Sequence, residues 1–111
     1  MLTRYAFFEG KVKPGCDEAF TTFVEERLVP LWTRFPGAAE VRVLRQLESD
    51  VDQPHYAMVL AIKYDSRAAM ETALQSDVRA KSREETAELV KMFDGHIFHT
   101  VFETALDVVI G

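Results

Sequence analysis

Apolar and polar positions along this chain change period several times, and each change marks an element. From Leu2 to Val12 both parities are apolar, with Tyr5 and Phe7 on one and Ala6 and Phe8 on the other, which predicts a first strand. Pro14-Gly15 ends it. Cys16 or Asp17 then opens a helix, with Asp17 and Glu18 near the positive end of its dipole. The helical stripe runs through Phe20, Phe23 or Val24, Arg27 or Leu28, Leu31 and Phe35, until Pro36-Gly37 stops it. Inside that stripe, the segment Glu25–Gly37 (EERLVPLWTRFPG) carries Pro30. In a regular helix interior a proline removes one hydrogen bond and crowds the carbonyl four residues back, at a cost of about 3 kcal/mol. A kink is expected there.

The pattern then returns to alternation. Glu40–Glu48 predicts a second strand, with Val41, Val43 and Leu47 on one face and Arg42 and Gln46 on the other. Ser49–Pro54 is a polar connection. Tyr56–Tyr64 predicts a third strand, with Tyr56, Met58, Leu60, Ile62 and Tyr64 on one face and Ala57, Val59 and Ala61 on the other. Asp65-Ser66 starts a helix through Met70, Ala73 and Leu74. In the helical stretch that follows, Ser82 and Glu85 have capping-box spacing, and Thr86, Leu89, Val90 and Phe93 form its apolar side. Gly95 reads as its stop, and the charged run Arg79–Glu88 as a solvated face with intrahelical ion pairs. His96–Glu103 is the fourth strand. The tail Thr104–Gly111, with Leu106, Val108, Val109 and Ile110, is apolar enough to pack or pair.

The order strand, helix, strand, strand, helix, strand predicts an α+β, ferredoxin-like unit with an antiparallel sheet, in one domain spanning residues 1–111. In such a unit the helices cover one face of the sheet, and a face left in water should be polar. Here Tyr5, Phe7, Phe98 and Phe102 make the second face apolar. Packing of two such sheets face to face, giving a homodimer, is the simplest way to cover it.

Charge narrows the partners. A net charge of −5 with no basic run excludes nucleic acid or an anionic membrane as the main partner, since both need a basic footprint. Cys16 is the only cysteine, so no intrachain disulfide forms, and a reducing compartment is the default. No segment has the length and apolarity to span a bilayer or to serve as a secretory core. The cytoplasm is the expected location.

Three motifs, in order and spacing, carry a family resemblance. They are the Lys13-Pro14-Gly15 turn, Leu28-Val29-Pro30-Leu31 followed by Pro36-Gly37, and the Tyr64-Asp65-Ser66 strand-to-helix junction. Together they resemble the EthD-like proteins of the dimeric α/β-barrel superfamily, whose first helix commonly reads His-x-Pro-Leu. Leu28 occupies the histidine's place. The resemblance implies a small-molecule pocket between sheet and helices in each subunit. It spans cofactor-free monooxygenases acting on phenols, haem-degrading oxygenases, lactone isomerases and cyclases, among which fold alone does not choose. The expected function is binding of a small hydrophobic or aromatic metabolite. The chemistry would be that of a cofactor-independent oxidoreductase of monooxygenase type, or of an isomerase or cyclase. A non-catalytic ligand-binding or accessory homodimer is the first alternative, favoured by Leu28, which can neither shuttle a proton nor ligate. Haem binding through His96 or His99 is the second.

Candidate chemistry is sparse. His96 and His99 lie three apart in a strand, so their side chains point to opposite faces and cannot chelate one metal. His99, with Ile97 and Val101 as same-face neighbours, is the candidate base, and Tyr56 the candidate hydroxyl beside it. The expected pocket wall comprises Leu28, Leu31, Trp32, Tyr5, Tyr64 and His96, an apolar and aromatic surface suited to orienting a phenol or quinone. Each of these aromatics equally suits core or interface packing. His55 reads as an exposed loop residue. Cys16, near a helix start but with no histidine in its sequence context, reads as non-catalytic. No metal site and no resident cofactor are expected.

Overall fold

The computed structural model describes all 111 residues. Strand β1 (Leu2–Val12) leads through the Pro14-Gly15 turn into helix α1 (Asp17–Phe23), a π-helical turn over Val24–Leu28, and the short α2 (Val29–Trp32). Strands β2 (Ala38–Leu44) and β3 (Tyr56–Tyr64) follow, then α3 (Arg67–Leu74), α4 (Asp77–Leu89), a 3₁₀ turn over Val90–Met92, and β4 (Phe93–Glu103). The sheet order is β2-β3-β1-β4, antiparallel throughout. This is the α+β, ferredoxin-like arrangement that the element order predicts, with all helices on one face. No helix is long and apolar enough to cross a membrane.

The kink expected at Pro30 takes the form of a π-turn just before it. Phe20, Val24, Leu28 and Trp32 are all buried, an unbroken four-residue spacing. In an ideal α-helix that spacing drifts by about 40° per step, so one face could not keep all four against the sheet. The π-turn absorbs the drift, and the Val29 N–H reaches the Val24 carbonyl five residues back. Pro30 then falls in the first turn of α2, where its missing N–H costs least. Arg27 leaves the stripe and pairs across to Glu85 of α4 at 2.8 Å.

Local signals hold where they are self-contained. Ser66 caps α3, its hydroxyl accepting from the Ala69 N–H at 3.1 Å. Other expectations require correction. Ser82 begins no helix. Ser76 caps α4, and Ser82 lies in its middle, buried, donating to the Arg79 carbonyl at 2.8 Å. The strand β4 starts three residues early, because Phe93 turns inward against Phe8 and Phe20. Gly95 is therefore a strand residue and not a helix stop. It faces Gly10 across β1–β4, both at positive φ, and a side chain at either would meet the opposite backbone carbonyl. Strand β2 ends at Leu44, short of Glu48. The Gln46 side chain accepts the Tyr56 N–H at 2.9 Å in place of a ladder bond, and Leu47 is left 84% exposed.

The core lies between sheet and helices: Leu2, Ala6 and Phe8 of β1, Met58, Leu60, Ile62 and Tyr64 of β3, Phe93 of β4, and the helical Phe20, Val24, Leu28, Trp32, Met70, Ala73 and Leu89. The opposite face is a continuous aromatic surface. Phe7 stacks on Phe98 at 5.1 Å and meets Tyr56 at a tilt at 5.2 Å, and Tyr5 meets Phe102 edge-on at 5.4 Å. Phe102 is 57% exposed. Residues beyond Thr104 form no regular structure, and Leu106, Val108, Val109 and Ile110 stand exposed on the single chain.

Candidate functional site

A cavity of about 380 Å³ opens between the sheet and the helices. Its floor comes from strand positions that alternate inward: Arg4, Ala6 and Phe8 on β1, Leu60, Ile62 and Tyr64 on β3, and Ile97 and His99 on β4. Trp32 and Phe35, at the end of the first helical segment, form an apolar wall. Helix α4 supplies the roof with Arg79, Ser82, Arg83 and Thr86.

That roof departs from the usual pattern. Positions 79, 82, 83 and 86 step by three, one and three, which is the stripe an amphipathic helix normally fills with apolar residues. Here it carries two guanidinium groups and two hydroxyls, while the solvent side carries pairs such as Lys81–Glu84 at 3.5 Å. The run Arg79–Glu88 is therefore only partly the solvated face expected of it. Arg79 turns inward and is half-buried, and Arg83 lines the cavity rim while remaining exposed.

Arg4 joins them from the sheet. In the β1–β4 register Ala6 is opposite His99 and Arg4 opposite Val101, so Arg4 and His99 are diagonal neighbours, about 7 Å apart along the backbone. Arg79 donates to the Leu74 carbonyl at 3.2 Å. No carboxylate lines the cavity, and no ion pair within 4 Å involves Arg4, Arg79 or Arg83.

Burial first, and neighbouring charge second, shift Arg4, Tyr64, Arg79 and His99. Burial lowers the pKa of Arg4, and Arg79 lowers it further; burial lowers that of Arg79, and Arg83 adds to it. Burial raises the Tyr64 phenol above its ordinary value, although Arg4 and Arg79 pull the other way, so the hydroxyl remains a donor. Desolvation, then the charges of Arg4, Arg79 and Arg83, push His99 down to about 4. By surface area His99 is an exposed residue, so it stands at the open side of the cavity. At neutral pH His99 is an uncharged imidazole with a free lone pair.

The residues singled out from the sequence separate cleanly. His99, Trp32 and Tyr64 meet at the cavity. Tyr56, expected beside His99, stands on the other side of the sheet. A register shift between Phe8 and Glu9 sets Tyr56 opposite Glu9 and turns its ring to Phe7. Tyr5 is on that outer face too. His96 also lies there, with its Nε2 3.0 Å from Glu9. Leu28 is fully buried in the core and Leu31 half-buried, and neither lines the cavity. Sequence reasoning missed Arg4, Arg79, Arg83, Ser82 and Thr86. The polar stripe on α4 between Val78 and Leu89 was the available signal.

No group of His, Cys, Asp and Glu converges to hold a metal ion. Of the two histidines offered as haem ligands only His99 faces the cavity. A space of about 380 Å³ shared with three arginines is at the low end for drug-sized ligands.

Comparison with solved structures gives the same fold. An EthD family protein from Bacillus halodurans superposes with a TM-score of 0.70 at 18% identity, over 93% of this chain and 97% of that one. An antibiotic biosynthesis monooxygenase superposes at 0.61 and 15% identity, over 99% and 100%. A conserved protein from Methanosarcina mazei does so at 0.65 and 15% identity, over 92% and 91%. No sequence model of a protein family matches the chain, and no curated protein sequence does. The resemblance carried by the Pro30 helix and its flanking turns thus holds at the level of the fold.

Proposed function

We propose that this protein is a homodimer that binds a small aromatic or apolar metabolite in the helix–sheet cavity of each subunit. Its chemistry is cofactor-independent, of monooxygenase type or of isomerase or cyclase type. The observation that carries the reading is a neutral imidazole, His99, at an open cavity beside three cations and a protonated phenol. These reaction types share one step: removal of a proton from an acidic O–H or C–H to give a phenolate or enolate. His99 accepts the proton. The arginines lower the pKa of the substrate as they lower that of His99, because its anion forms among positive charges. Tyr64 donates a hydrogen bond to the developing oxyanion, and Trp32 and Phe35 face the ring.

The fold shared with an EthD family protein and an antibiotic biosynthesis monooxygenase supports the class without selecting a substrate. The aromatic outer face supports the homodimer, since water-exposed Phe98 and Phe102 are otherwise unexplained. The same ground supports packing of the tail 104–111, with its exposed Leu106, Val108, Val109 and Ile110, on the partner. A lone cysteine accords with the cytoplasm.

The test is turnover of a panel of phenols, hydroquinones and lactones in air, followed by oxygen uptake and absorbance. His99→Ala is expected to reduce turnover about 100-fold or more, and Tyr56→Phe to leave it unchanged. Activity that survives in His99→Ala rejects the role of His99 as the base, and a parent chain that turns over no member of the panel leaves the non-catalytic binding reading.

A further inference from the structure

We propose that the ligand of this cavity arrives already carrying a carboxylate, and that Arg4, Arg79 and Arg83 form its recognition site. The substrate class is therefore an aryl or similarly apolar carboxylic acid. The proposal rests on the cavity being the ligand site, and it goes beyond that reading by fixing the charge of the ligand.

Three observations converge. The chain has a net charge of −5, yet the cavity lining holds three arginines and no aspartate or glutamate. Acidic residues are plentiful elsewhere and neutralise other arginines, as Glu85 does Arg27 at 2.8 Å. The cavity arginines have no such partner. Second, they come from two unrelated elements, β1 and α4, so their meeting is a product of tertiary packing and not of one basic run. Third, Arg4 and Arg79, both half-buried, occupy positions where apolar residues would serve the fold better, an inward position of β1 flanked by Leu2 and Ala6 and the inward stripe of α4, while Arg83 stands exposed at the cavity rim. Like charges held together in a partly desolvated space oppose folding. A bound carboxylate removes that opposition. Guanidinium is also the group whose planar fork matches a carboxylate with two parallel hydrogen bonds. The rest of the lining, Phe8, Trp32, Phe35, Leu60, Ile62 and Ile97, is apolar and accommodates the body of the acid.

A consequence follows for His99. The charged or titratable groups facing it are Arg4 from β1, Tyr64 from β3, and Arg79 and Arg83 from α4. Glu103, on the same face of β4, lies outside the lining. A ligand carboxylate among the arginines cancels part of their field, and the basicity of the imidazole rises from its resting value. The base is strengthened by the substrate it serves.

Calorimetry and ligand-observed NMR on the full-length protein test this with matched probes: benzoate, salicylate and 2-naphthoate, each against its neutral amide. At least one carboxylate is expected to bind tenfold or more tightly than its amide, with affinity falling as salt rises. Arg79→Gln and Arg83→Gln should each weaken the carboxylate at least fivefold while leaving the amide within twofold. On binding, the titration midpoint of the His99 ring protons should move up from about 4. Circular dichroism of each variant distinguishes lost binding from lost fold, and Lys81→Gln on the solvent side of α4 serves as a charge-matched control. If an amide binds as well as its acid, or Lys81→Gln weakens the acid as much as the cavity variants do, the carboxylate site is rejected and the neutral-ligand reading stands. If no probe binds at millimolar concentration, both are rejected. If the acids bind through the arginines but His99→Ala turns over every substrate normally, the anion site stands and the catalytic role of His99 falls.

Discussion

On the helix-covered side of the sheet, Arg4 and His99 stand among Ala6, Phe8 and Ile97; on the open side, Tyr5, Phe7, Tyr56, Phe98 and Phe102 stand around Ala61 and Val59. One sheet thus places cations inside and phenylalanines outside, the reverse of what solvent alone would select. Under the two proposals the inversion has a common cause: the outer face suits the apolar surface of a second copy, and the inner one suits an anionic ligand. The core beneath the remaining helices, from Phe20 to Leu28 and Leu89, is apolar throughout and shows no such mismatch.

The outer face gives the largest expected effect. Phe98→Asp puts a charge at the middle of the aromatic surface and should raise the dimer dissociation constant about 1,000-fold, or about 4 kcal/mol, by sedimentation velocity. The cavity lies across the sheet, so carboxylate binding per subunit should persist. A variant that remains dimeric at micromolar concentration would show that this face is not the interface.

The second break is aimed at the boundary between core and cavity. Leu28 is fully buried and outside the lining, whereas the resemblance puts a histidine there facing a pocket. Leu28→His should therefore cost about 3 kcal/mol, through lost packing and an unpartnered imidazole. That corresponds to roughly a 10 °C fall in melting temperature. A neutral substitution would mean that the cavity reaches position 28.

The smallest effect concerns pH, and it belongs to the inner face alone. His99 has a folded pKa of about 4 against an ordinary value of 6.5. Between those values the unfolded chain binds a proton that the folded chain does not. Stability therefore rises with pH across this window, and acidification from 6.5 toward 4 removes it. Denaturant titrations at pH 7, 5.5 and 4.5 should show a shallower loss for His99→Gln than for the parent chain. Identical slopes would mean that neither burial nor the arginines depress the imidazole.

How much of this was legible depended on how far apart the cooperating residues lie. Ser66 capping α3, the Pro14-Gly15 turn and the alternation of β1 and β3 are fixed within a few residues, and reading them required no tertiary knowledge. The apolar second face followed from the same alternation. Ser82 misled because a serine followed three residues on by a glutamate caps a helix only if the chain turns there. The earlier cap at Ser76 had already started α4. Phe93 fitted a helical stripe and a strand equally well, and its contacts with Phe8 and Phe20 decided between them. Tyr56 changed faces because of one register shift, which leaves no mark in a period-two pattern.

The sequence by itself determined the order of elements, the ferredoxin-like topology and the excess of apolar sheet surface, because each rests on local periodicity and turn chemistry. Tertiary structure decided the site. Arg4 is 75 positions from Arg79 in sequence, and only the β1–β4 register and the seating of α4 over the sheet bring them to one space with His99. It also decided that Pro30 terminates a π-turn and that Leu28 belongs to the core. A helix chooses between three- and four-residue spacing by what its side chains must reach, and here they had to reach the sheet.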